Sequence, residues 1–214
     1  MIGAGISAAG SAAYSYVVSG GPASAPGASS SRTAPGSLPA SQNGPAVYSD
    51  VTDGGVRTIT MPMEFLGAGA TAGNVATAKD AIETTWTRSY TSDDGSANVT
   101  LIVRVNITSI GDRNYMYMGV PGVDSPPGMA VGSTGNWPIG ERTGWVTTTR
   151  VETIGFYAAH EIGHLFGLGD RYSGGAPYSG YERNIMGAFE FWQIARPRYK
   201  DITCIGSRTG GTCN

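Results

Sequence analysis

The sequence predicts an α+β fold, on three observations. VRTITMPMEF (56–65) and NVTLIVRVNI (98–107) alternate apolar and other residues, as half-buried strands do. NVATAKDAIETTWTRSY (74–90) and the run from Thr149 into HEIGHLFG (160–167) instead repeat apolar residues at helical spacing. The elements follow in the order strand, helix, several strands, helix, and then an irregular C-terminal part.

Residues 1–46 contribute no element. Residues 1–31 carry no charged side chain, and 19–46 form a Gly/Pro/Ser/Ala linker with no periodicity and little to bury. The chain is therefore divided into a low-complexity small-residue segment with linker, 1–46, and a folded domain, 47–214. In the first strand Ile59, Met61, Met63 and Phe65 share a face, and Pro62 argues for a sheet edge or a bulge. The first helix is expected from Asn74, a good N-cap, to about Tyr90, with Val75, Ala78, Ile82 and Trp86 inward. TSDDGSA is a turn. The next strand puts Val99, Leu101, Val103, Val105 and Ile107 on one face. YMYMG (115–119), GMAVG (128–132) and TGWVTT (143–148) are shorter strands between Gly/Pro turns. Thr149 and Glu152 have capping-box spacing at the start of the second helix. Val151, Ile154, Ala158, Ile162 and Leu165 form its buried stripe. Gly167 should end it, because glycine readily takes the left-handed conformation of a helix terminus.

Fourteen basic against sixteen acidic residues leave a formal net charge of −2, which excludes the basic field a nucleic-acid binder needs. No segment has the length and hydrophobicity of a membrane span. The N-terminal run lacks the Lys or Arg that precedes a signal-peptide core, and its Ala-Ser-Ala at 23–25 is followed by Pro26. The reading adopted is a piece of a longer protein. Cys204 and Cys213 are either two idle thiols or a disulfide around a Gly-rich loop; the second implies life outside the reducing cytoplasm.

The chemistry concentrates in HEIGHLFGLGD (160–170), which holds both histidines of the chain. On a helix, positions four apart share a face, so His160 and His164 can reach one small cation, for which zinc is the candidate. A third ligand is needed, and no histidine remains. Asp170 supplies it if the chain turns back after Gly167. Three protein ligands leave a fourth position for water, the pattern of a catalytic zinc site. Glu161, beside the first ligand, has the chemistry of a general base that takes a proton from that water and passes it to a leaving amine.

The pattern HExxHxxGxxD resembles the zinc signature of the metzincin metallopeptidases in the form whose third ligand is aspartate. HEIGHLFGLGDRYSGG is particularly similar to the snapalysins, small secreted bacterial enzymes. The close resemblance covers about residues 157–187. It implies a metzincin-like zincin domain: a twisted mixed sheet, a backing helix, an active-site helix and an irregular C-terminal subdomain. It also implies a methionine in a tight turn beneath the metal, and Met186 in NIMG (184–187) fills that place. The implied activity is a zinc endopeptidase, with substrate extended along an edge strand formed by GMAVG or the segment up to Trp137. Tyr172, Tyr178 and Tyr181 are candidates to contact substrate or hold the oxyanion, Tyr172 and Tyr181 foremost; Arg171 is expected in solvent, and Arg183 is a similar candidate. The expected partner is a protein or peptide substrate, with a cognate immunity or inhibitor protein if the chain is the toxin module of a larger, Rhs-type delivery protein. The expected location is outside the producing cell. A non-catalytic, zinc-stabilised binding module is the competing reading.

Overall fold

The computed structural model describes residues 42, 44–120, 123–124, 134–187 and 194–206. Its elements are β1 (Ser49–Asp53), β2 (Val56–Leu66), α1 (Ala72–Trp86), β3 (Arg88–Thr91), β4 (Asn98–Ile107), β5 (Asn114–Gly119), β6 (Gly135–Asn136), β7 (Thr143–Thr147), α2 (Val151–Leu165), β8 (Tyr172–Ser173), β9 (Ala176–Pro177) and α3 (Tyr199–Cys204). They form a mixed α+β arrangement. Seven strands make one sheet in the order β3-β4-β2-β5-β7-β6, with β1 also paired to β2. The four central strands, β4, β2, β5 and β7, are parallel; β3, β6 and β1 pair antiparallel at the periphery.

The alternating pattern places the core. Ile59, Met61 and Met63 of β2, Leu101, Val103 and Val105 of β4, and Met116 and Met118 of β5 are buried together with Ala78, Ile82 and Trp86 of α1 and Ile154, Ala158, Ile162 and Leu165 of α2. Fully burying one such side chain stabilises by about 1.5–3 kcal/mol. Ile107, the last of the β4 set, is half exposed. The two helices pack on each other: the Trp86 indole donates to the Ala159 carbonyl at 2.9 Å, and a Cβ at Gly155 would come within 2.8 Å of the Ala81 methyl.

Several elements differ from the sequence reading. α1 starts at Ala72, because Thr71 caps it by accepting from the Asn74 amide at 3.2 Å; the Asn74 side chain turns instead to the Gly69 carbonyl. The helix also stops at Trp86, and residues 88–91 leave it to pair with β4. The Thr149–Glu152 capping box does not form. Thr149 exchanges a hydroxyl hydrogen bond with Thr147, and α2 begins at Val151 behind Arg150, which makes no side-chain cap bond. Pro62 sits in the centre of the sheet rather than at an edge. Its missing N–H falls where pairing with β1 ends at Thr60 and pairing with β5 begins at Met63, and the Asn114 side chain donates to its carbonyl there. GMAVG lies outside the described residues.

The domain takes in residues that composition assigns to the linker. The Gln42 carbonyl accepts from Thr143, the Gly44 carbonyl from the Arg142 amide, and the Ala46 amide donates to Gly140. Among the described residues no helix is long and apolar enough to cross a membrane.

Candidate active site

α2 carries His160, Glu161 and His164, all buried. The two imidazoles stand one turn apart, ring centroids 5.1 Å from each other. Each Nδ1 is 2.8 Å from a backbone carbonyl, that of Ile185 for His160 and that of Leu168 for His164. A carbonyl only accepts, so each Nδ1 must carry the proton, and each Nε2 is left with its lone pair directed away.

The end of α2 completes the set. Gly167 takes φ 95°, the Leu168 amide bonds back to the Gly163 carbonyl at 2.9 Å, and the Gly167 amide to that of His164 at 2.9 Å. This is the closure in which a left-handed residue ends a helix. It aims the Leu168 carbonyl at His164 and reverses the chain, bringing Asp170 Oδ1 to 3.2 Å from His160 Nε2 and 3.4 Å from His164 Nε2. Donors about 2.0–2.1 Å from a tetrahedral zinc are about 3.3 Å from one another. The spacing, the proton positions and the mixed nitrogen and oxygen chemistry fit that ion. Burial opposes charge on Asp170, but the two facing imidazoles, which donate from Nε2 when protonated, outweigh it and hold the carboxyl well below the usual carboxylate range. His164 moves up: burial lowers it, and Asp170 and Glu161 together raise it further.

Glu161 lies beside this cluster, and its Oε2 has no hydrogen-bond partner among the described residues. Burial pushes its carboxyl up to about 7, against the pull of His160 and His164 and with the help of Asp170. Above it runs β6. Gly135 packs directly on the carboxyl: a Cβ there would lie 2.8 Å from Cδ, 3.0 Å from Cγ, and closer still to Oε1.

Beneath the histidines lies the turn at Asn184–Gly187. Met186 is fully buried, and its Sδ and Cε occupy the space a Cβ at Gly163 would need. Asn184 holds the turn by accepting from the Met186 amide at 2.8 Å and donating to Asp201 Oδ2 at 2.6 Å. Asp201 also accepts from the Arg198 amide at the start of α3.

The tyrosines separate. Tyr172, on β8 of the small β8–β9 hairpin, lies with its ring 6.2 Å from that of His160 and its hydroxyl hydrogen-bonded to Asp170; burial, then Asp170, raises its pKa. Tyr178 is half exposed. The Tyr181 ring meets two guanidinium groups, that of Arg171 at 5.3 Å and that of Arg198 at 4.9 Å. Arg171, expected in solvent, is 2% exposed, whereas Arg183 is exposed. Cys204 is disulfide-bonded; Cys213 lies outside the described residues.

Sequence reasoning missed Gly135, Gly163, Asn184 and Asp201. Gly163 left a signal, since glycine inside a helix costs about 1 kcal/mol against alanine and so wants a packing reason. Gly135 left none, because its partner is 26 residues away in sequence. Compared with models of known protein families and with curated proteins, the chain matches none.

Proposed function

We propose that this chain is a zinc-dependent endopeptidase built as a metzincin-like domain. The observation that carries the reading is the convergence of two imidazole Nε2 atoms and one carboxylate oxygen beside a buried carboxyl with an unpartnered oxygen. His160, His164 and Asp170 would hold the ion, and Met186 supports them from below. When bound, zinc supplies Lewis acidity and makes a water acidic enough to react near neutral pH.

The residues of the chain do the rest. The Thr147 amide donates to the Thr134 carbonyl at 2.9 Å, so Gly135, the first residue of β6, turns its amide and carbonyl away from β7, to a side on which no strand pairs among the described residues. An extended peptide pairs there as an added strand, which sets its scissile carbonyl over α2. Glu161 accepts a proton from the attacking water as the C–O bond forms, then delivers it to the leaving nitrogen as the C–N bond breaks. A pKa raised by burial suits a group that must do both. The Tyr172 hydroxyl, which hydrogen-bonds Asp170, would donate to the developing oxyanion on leaving that carboxylate. The disulfide at Cys204 supports residence in an oxidising compartment, in keeping with secretion or delivery outside the producing cell.

Glu161→Ala tests the reading. Zinc should stay at one per chain while cleavage of casein or a peptide library falls about 10²–10⁴-fold. Full activity in the variant removes Glu161 from the mechanism. A wild-type protein that holds zinc and cleaves no peptide supports a binding module instead.

A further inference from the structure

Gly135, on the peripheral strand β6, meets the proposed general base. Its φ is not positive, so nothing in its backbone demands glycine. What demands it is space, because the volume of a Cβ is already filled by Oε1, Cδ and Cγ of Glu161. The register agrees. Gly135 stands opposite Val146, a core residue on the helix-facing side of β7, so position 135 points toward α2. Asn136 stands opposite Trp145 and points to the other face.

We propose that Gly135 is a positioning and specificity-determining residue: its missing side chain lets the Glu161 carboxyl lie against the backbone groups that pair with substrate. Proton acceptor and peptide-reading edge thereby become neighbours. This rests on the peptidase reading for its catalytic half, whereas the packing half stands without it. Residues directly opposite in an antiparallel pair project to the same face. A substrate residue paired with Gly135 therefore points its side chain toward α2 with no Cβ beside it. A methyl at 135 should both displace the carboxyl and narrow the choice of substrate residue at that position.

The test is a double-mutant cycle between positions 135 and 161, read by thermal unfolding and by peptide cleavage. Gly135→Ala should lower Tm by roughly 2–10 °C in the wild-type background and by much less in Glu161→Ala, where the colliding carboxyl is gone. In cleavage, Gly135→Ala should lower kcat at least tenfold with zinc stoichiometry unchanged. Glu161→Asp, one methylene shorter, should lose less on adding Gly135→Ala than the wild type does. A peptide library should shift toward smaller residues at the position paired with 135. Gly73→Ala, at a helical glycine with open space around it, is the control for a generic glycine effect and should leave activity unchanged. Equal loss of Tm in both backgrounds, or full activity with unaltered selectivity in Gly135→Ala, overturns the proposal. If the wild type cleaves nothing, the peptidase reading fails by itself, and the unfolding half of the cycle still decides whether Gly135 positions Glu161.

Discussion

At one side of the sheet β4 runs on past β3, and the backbone of Val103 and Val105 is met by side chains of α1 and its C-cap. The Thr87 hydroxyl accepts from the Val103 amide at 2.9 Å and donates to its carbonyl at 3.3 Å, and Glu83 Oε1 accepts from the Val105 amide at 2.8 Å. At the other side β6 has no strand beyond it among the described residues, and Gly135 turns its amide and carbonyl outward. An unpaired edge invites another chain to add a strand. The fold closes that invitation over a groove lined by Lys79, Glu83, Thr87 and Arg104. It leaves the invitation standing where α2 places two histidines and a buried carboxyl under the strand. The contrast arises in which helix lies below each edge: α1 and its C-cap offer carboxylate and hydroxyl as surrogate strand partners, and α2 offers the proposed metal site.

The largest effect should come from removing the reason for the open edge. Asp170→Ala takes away one of three donors and leaves the sheet untouched. Losing a supporting partner of a ligand weakens metal affinity about 10–100-fold, so losing the ligand itself should exceed that range. Competition against a chromophoric chelator measures the affinity, and cleavage at limiting zinc should vanish with it. Unchanged affinity would show that Asp170 is no ligand and would detach the open edge from the chemistry.

A smaller effect should follow from interfering with the edge through the substrate. N-methylating the peptide amide that pairs with Gly135 deletes one main-chain hydrogen bond, worth about 0.5–1.5 kcal/mol. KM should rise roughly 2–10-fold for that position, and much less for methylation on the solvent side of the same peptide. A flat response along the whole peptide would mean that β6 does not read backbone.

Much of this contrast was legible beforehand, and the illegible part shares one cause. The alternation in β2 and β4 and the spacing of His160, Glu161, His164 and Gly167 are local patterns, and local patterns survive folding. The end of α1 is not local. Tyr90 continues the 82–86 helical spacing, yet its segment pairs with Val99 across a turn, and its hydroxyl returns to the Trp86 carbonyl. Periodicity could not distinguish those two fates. Pro62 misled for the same reason, since only the handover from β1 to β5 makes its missing donor harmless. Arg171, expected in solvent, is buried with its guanidinium over the Tyr181 ring. Residues 42–46 look like linker because their contacts include backbone groups, which composition does not display. At the site, the shared face of His160 and His164 could be read from spacing. The carbonyls of Ile185 and Leu168 that face the imidazole Nδ1 atoms, and Gly135 above Glu161, come from elsewhere in the chain or from the turn that ends the helix.

The smallest effect belongs to the closed edge, where Thr87→Val removes one hydroxyl at nearly constant shape. The Val103 amide and carbonyl then lose their surrogate partner. Solvent can reach this part-buried site, so the loss should be modest, about 1–2 kcal/mol. For a domain of this size that is roughly a 2–8 °C drop in Tm. Thr87→Ser keeps the hydroxyl and should recover most of it. Cleavage per folded molecule should not change, because neither Thr87 nor Val103 touches the site. Light scattering against concentration supplies the sharper reading. If the hydroxyl is a guard as well as a bond, Thr87→Val should self-associate where Thr87→Ser stays monomeric, since a freed amide and carbonyl on β4 are what a second copy would pair with. Loss of stability without association would leave the cap as an ordinary hydrogen bond, and the two edges would then differ in what lies beneath them but not in how they are defended.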